Sequence, residues 1–163
     1  MICSCTDADV ADVCAIINDA ATAYKGVIPV DRWHEPYMPL DELKREIAAG
    51  VKFSGFVEDS RLIGAMGAQA VRDVTLIRHG YVRTEMRGRG IGGKLLTHLL
   101  GQFRGRILVG TWKAAGWAVK FYEKHGFRLV SETEKDRLLK AYWNIPPRQI
   151  QTSVVLVYQG AKA

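Results

Sequence analysis

Arg87-Gly88-Arg89-Gly90-Ile91-Gly92-Gly93-Lys94 sets four glycines among three cations, just ahead of Leu95, Leu96, Leu99, Leu100 and Phe103. With Ile91, those apolar residues recur at the spacing of an amphipathic helix. A glycine-rich turn at a helix start gathers unpaired backbone N–H groups and the positive end of the helix dipole at one spot, which suits an anion and above all a phosphate. Glycine matters there because a missing side chain lets phosphate oxygens approach the N–H groups directly. The alternative is a plain strand-to-helix turn with no ligand.

Two other phosphate motifs nearly fit. Gly88, Gly90 and Gly93 match the dinucleotide pattern, but no Asp or Glu lies near position 113 to take a ribose and no βαβ unit begins there. Gly88 to Gly93 with Lys94 matches the start of a P-loop, yet Leu95 stands where Ser or Thr would ligate magnesium. A nicotinamide enzyme and a nucleotide hydrolase are both disfavoured.

The elements that must carry this turn follow from patterning. Thr6-Asp7-Ala8-Asp9 resembles a capping box, and Val10, Val13, Ile16, Ile17 and Ala20 continue as a first helix ending near Tyr24-Lys25-Gly26. Val27 to Leu40 carries Pro29, Pro36 and Pro39 among Trp33, His34 and Tyr37, an ordered loop or broken helix, and Leu43, Ile47 and Ala48 suit a second helix. Val51 to Glu58, Leu62 to Val71 and Val74 to Val82 read as an antiparallel meander. After the turn and its helix come a strand (Arg106 to Trp112), a helix (Trp117 to Lys124), a strand (Phe127 to Val130) and a closing strand (Thr152 to Tyr158). Glu132 to Gln151 is long and charged before it reaches Tyr142-Trp143 and Pro146-Pro147, and reads as a candidate binding loop.

Totals narrow the classes. The 163 residues fit one domain over 1–163, and 48% hydrophobic with 25% charged residues excludes a disordered or fibrous chain. No apolar run reaches the roughly 20 residues that span a bilayer, and Met1-Ile2-Cys3-Ser4-Cys5 lacks the regions of a signal peptide, so a cytoplasmic protein without a membrane partner is expected. Cys3, Cys5 and Cys14 have no neighbours at metal spacing and read as free thiols, with no metal expected. The formal charge of +6 favours an anionic partner. Arg78, Arg83, Arg87, Arg89, Lys94, Arg104 and Arg106 supply it, but no nucleic-acid recognition motif accompanies them, so no nucleic-acid partner is expected.

Arg87-Gly88-Arg89-Gly90-Ile91-Gly92 meets in full the cofactor motif of the GCN5-related N-acetyltransferase (GNAT) superfamily: Arg or Gln, two residues, Gly, one residue, then Gly or Ala. Lys120-Phe121-Tyr122-Glu123-Lys124-His125-Gly126-Phe127 is similar to its second signature. The order of elements from about Ile2 to Tyr158 also resembles the family's. The resemblance implies an α/β (α+β) fold, with a mixed, mostly antiparallel sheet of about six to seven strands flanked by helices and a splayed central strand pair. It implies acetyl-CoA as co-substrate, with the pantetheine arm along Tyr81, Val82 and Arg83. The pyrophosphate falls on the backbone of Arg87, Gly88, Arg89, Gly90, Ile91, Gly92, Gly93 and Lys94, whose charged side chains add to the surface field. One departure is Ala115, which stands where the family often has an Asn that hydrogen-bonds the cofactor.

Acetyl transfer to an amine needs a neutral nucleophile, a donor for the oxyanion and an acid for the departing thiolate. Tyr122 matches the position whose phenol serves as acid in many relatives; core packing beside Phe121 is the other reading. His79 is the only residue in Thr75 to Tyr81 with a base-like pKa, and a satisfied core histidine or a water relay stands equally open. By the same resemblance, backbone N–H near Val82 would be the oxyanion donor. The acceptor pocket of such a fold lies between the loop of the first two helices and the segment before the last strand. Tyr24, Trp33, Tyr37, Tyr142 and Trp143, with Asp31 and Glu35, would there bind a cationic small-molecule or peptide amine. Packing, or a homodimer surface, is the other reading of these rings. A binding module or sensor of the same fold, holding acetyl-CoA with little transfer activity, is the competing function.

Overall fold

The computed structural model describes residues 1–160. Its centre is a seven-stranded sheet built from β1 (Ile2–Ser4), β2 (Lys52–Glu58), β3 (Arg61–Val71), β4 (Val74–Val82), β5 (Arg106–Trp112), β6 (Phe127–Leu129) and β7 (Ser153–Tyr158), in the order β1-β2-β3-β4-β5-β7-β6. Every neighbouring pair is antiparallel except β4 and β5. The meander closes tightly at Asp59 and Ser60, whose φ values of 52° and 61° are those of a two-residue hairpin turn matched to strand twist.

Period-two alternation divides the strands between two apolar layers. Ile77, Ile107, Val109 and Leu156 face α3 (Ile91–Leu100) and Tyr122 of α4 (Gly116–Lys124). Leu76, Leu108 and Val155 face α5 (Glu132–Tyr142), and on that same side Leu62 and Ala65 pack on α1 (Val10–Ala21) and α2 (Leu40–Ala48). The capping box closes on a single 3-10 turn, Asp7–Asp9, that leads into α1, with the Thr6 N–H donating to Asp9 Oδ2 at 2.8 Å. A short helix α6 (Pro147–Gln151) leads into β7.

Two elements differ from the expectation. β1 is a three-residue strand at the sheet edge, too short to show an alternation. The segment expected as a binding loop is largely helix: α5 is capped by the Ser131 hydroxyl, which accepts from the Glu134 N–H at 3.2 Å, and it buries Leu138 and Leu139. Among the described residues no helix is long and apolar enough to cross a membrane.

Candidate functional site

The site begins with an interruption in strand pairing. β4 and β5 run parallel only from Val74↔Arg106 to Ile77↔Val109. Beyond Ile77 the two strands part. β4 continues against β3, and β5 against β7 through Trp112↔Ser153. The cause is a bulge. Between Tyr81↔Ala65 and Arg78↔Gly67, His79 and Gly80 together oppose Met66 alone, which bends and twists β4 away from β5. His79 takes a left-handed φ of 54°, a conformation costing a non-glycine residue about 1–2 kcal/mol. From Gly80 to Val82 the edge of β4 that faces β5 has no strand partner.

At the end of this edge lies the glycine turn. Gly88 and Gly90 have φ of 79° and 76° with open space around them, so glycine is there for backbone conformation. Gly90 is the N-cap of α3, and it supplies no side chain to cap the helix. Among the described residues the amides of Gly88 to Gly93 have no acceptor, and the first hydrogen bond of the helix runs from the Lys94 N–H to the Gly90 carbonyl at 3.0 Å. Six donors at a helix start form an anion cradle made of backbone.

The cations around it brace the scaffold. Arg87 donates to the Ala20 carbonyl at the end of α1 (3.2 Å), and Arg83 to the Leu62 carbonyl (2.9 Å). Arg89 forms a fork with both oxygens of Glu58 at 2.9 and 2.8 Å. Lys94 reaches over Phe56 and, with Thr97, His98, Lys124 and His125, lines an open depression on the far side of Gly90, Gly93 and Phe121 from the main cavity.

A cavity of about 590 Å³ runs from the turn through the splay. Tyr81, Val82, Arg87, Gly88 and Gly90 to Gly93 line it, whereas Arg83, Arg89 and Lys94 do not. Tyr122 projects into it from α4, and a Cβ on Gly80 would lie 3.4 Å from its hydroxyl, so the phenol abuts the bulge. Its hydroxyl has no hydrogen-bond partner among the described residues, and burial, reinforced by Tyr24, pushes its pKa above the ordinary tyrosine range. Burial also raises Tyr24, Tyr37 and Tyr81, so all four phenols stay protonated near neutral pH.

His79 lines the same cavity. Its Nε2 lies 2.6 Å from Glu46 Oε1 on α2, its ring stacks on Phe53, and Arg78 forms an ion pair with that same carboxylate oxygen at 2.9 Å. Burial raises Glu46, but the His79 hydrogen bond and the charges of His79 and Arg78 outweigh it and hold the carboxyl below its usual value.

Of the residues expected at an acceptor pocket, Tyr24, Tyr37 and Trp143 line the cavity. Trp33 stands behind, stacked on Tyr37 at 5.8 Å. Glu35 is outside it and exposed, paired with Lys25 at 2.9 Å, and Tyr142 donates to Asp73. Sequence reasoning missed Glu46, Thr111 and Trp112. The last two face the bulge only because β5 diverges from β4, and Glu46 only because α2 lies over it, so no local pattern marks them. Trp112 donates to the Tyr37 hydroxyl at 2.8 Å and carries the wall from β5 to the loop of the prolines.

Comparisons with known proteins converge on one class. A family described as "Acetyltransferase (GNAT) domain" matches residues 18–141. Among solved structures, a GNAT-family acetyltransferase from Staphylococcus aureus Mu50 superimposes with a TM-score of 0.71 at 17% identity, covering 97% of each chain. The PaiA N-acetyltransferase from Thermoplasma acidophilum, in complex with coenzyme A, gives 0.72 at 16%, also over 97% of each. A ribosomal-protein-alanine N-acetyltransferase from Brucella melitensis gives 0.66 at 18%, covering 96% of this chain and 97% of that one. At such identities the likeness shows the fold. No curated protein matches the sequence.

Proposed function

The chain belongs to the acetyltransferase (GNAT) family of acyl-CoA-dependent N-acetyltransferases, and from that premise we propose that it moves the acetyl group of acetyl-CoA directly to a primary amine. One observation carries the reading: a single cavity joins the open amides of the glycine turn, the unpaired edge of β4, the Tyr122 phenol and the aromatic rings beyond. The six amides suit a pyrophosphate, and a strand edge without a partner suits the amide groups of a pantetheine arm. Bound there, acetyl-CoA supplies a thioester carbonyl.

The residues divide the work. Amides of the bulged strand near Val82 stabilise the oxyanion in a site fixed before reaction. Tyr122 keeps its proton because it is buried, and gives it to the departing sulfur. Glu46 accepts a hydrogen bond from Nε2 of His79, which fixes a proton on that nitrogen and leaves Nδ1 to take the amine proton directly or through a water. Among the described residues no cysteine lines the cavity, and burial pushes the Cys5 thiol up to about 12, which supports direct transfer over an acyl-cysteine intermediate.

Initial rates with both substrates varied test this reading. Intersecting double-reciprocal lines are expected of a ternary complex, and parallel lines would contradict direct transfer. Tight coenzyme A binding without thiol release from any amine would leave the sensor function instead.

A further inference from the structure

We infer that the acceptor is a monoamine carried on an aromatic or branched apolar body, and that polycations such as polyamines are rejected. The inference rests on the transfer reading and adds the chemistry of the second substrate.

The acceptor side of the cavity is walled by Tyr24, Tyr37, Tyr81, Trp112, Trp143 and Ile145. Its neutral polar groups are Thr111, Gln149 and Ser153. Among the described residues no Asp or Glu lines the cavity, and the charged or chargeable groups on it are Arg78, His79 and Arg87. The carboxylates that the sequence offered for a cationic acceptor are held elsewhere. Asp31 takes a two-point contact from Arg148 at 2.8 and 3.2 Å, and Glu35 pairs with Lys25 and Trp33. Glu46 lies nearest, behind His79, and its Oε1 is already shared by His79 and Arg78.

A second ammonium entering this wall would lose its hydration, meet like charge and find no counter-ion. Two of the ring faces are already covered, Tyr24 by Trp117 at 6.0 Å and 23° and Tyr37 by Trp33 at 5.8 Å and 24°, and a cation–π contact with the others is worth far less than the ammonium hydration it would replace. The same wall favours the reacting form of a monoamine. Attack needs the free amine, and an apolar surround without a carboxylate disfavours the ammonium. An acidic pocket would hold the amine protonated and leave the base a harder task.

The test compares 2-phenylethylamine with spermidine, by coenzyme A release and by quenching of intrinsic tryptophan fluorescence in the presence of coenzyme A. 2-Phenylethylamine should quench saturably and show a kcat/KM at least about 10²-fold above that of spermidine. Gln149→Glu should place a carboxylate on the wall and narrow the ratio by about 10-fold, with thermal melting as the control for folding. Spermidine binding or turning over as well as 2-phenylethylamine would overturn the inference, as would no binding of either. Saturable 2-phenylethylamine binding without coenzyme A release would uphold the chemistry of the wall and remove the transfer reading.

Discussion

The glycine turn and the acceptor wall lie at two ends of one cavity and are built in opposite ways. The turn is made of backbone: six amides, two left-handed glycines and a helix start, all within eight consecutive residues. The wall is made of side chains from the turn after α1, the proline loop, β4, β5, the segment after α5, α6 and β7. A backbone site needs only a chain conformation, so it is fixed over a short stretch and is indifferent to most side chains nearby. A side-chain site exists only once distant elements pack, and single substitutions redefine what it accepts.

The two ends of the cavity separate most sharply at Gly90. Gly90→Asp keeps a residue that tolerates the left-handed region, but sets a negative charge among the amides. Affinity for coenzyme A should fall about 10³-fold with the melting temperature little changed, as read by calorimetry on the folded variant. Tyr122→Phe should lower kcat about 10²-fold with little change in cofactor affinity, the scale of general-acid catalysis. An unaltered kcat would make Tyr122 a packing residue.

Glu46→Gln should lower kcat/KM by about 10-fold, less than the roughly 10²-fold of a whole general-base contribution, because His79 stays but loses the carboxylate charge that stabilises its imidazolium. A stability signature accompanies it. Glu46 is held below the ordinary carboxyl value of 4.5, so its stabilisation is complete above that pH and is lost as the pH falls through the lower folded value. The gap in melting temperature between native and variant should therefore be widest above pH 4.5 and close below it. The smallest effect is expected of the thiols. Alkylation at pH 7 to 8 should leave activity intact, since burial raises Cys5 and Cys14 and neither lines the cavity.

The same contrast explains what was readable in the sequence. Arg87 to Lys94 declared its turn through glycine spacing, and the meander and α3 through their periods. α5 did not, because Lys135 occupies an inward position. Its ammonium is buried against the Ile150 carbonyl, Glu132 and Asp136, and that charge interrupts the apolar stripe of Leu138 and Leu139. Tyr122 was legible as part of a signature, whereas Glu46 was one carboxylate among several on an exposed helix until α2 was laid over the bulge. The four-residue parallel pairing of β4 with β5, on which the cavity depends, leaves no local trace at all. Glu35 and Asp31 show the converse: nearness in sequence to aromatic residues suggested a place in the pocket, whereas the fold holds both outside the cavity, in ion pairs of their own.

The central claim is that the turn grips the pyrophosphate, and the most direct measurement is a calorimetric cycle. Coenzyme A and pantetheine, which lacks the pyrophosphate, are titrated into the native protein and into Gly90→Asp. The native protein should bind coenzyme A at least about 10³-fold more tightly than pantetheine, and the variant should lose most of that difference while binding pantetheine nearly as before. An equal preference for coenzyme A in both proteins would contradict the account.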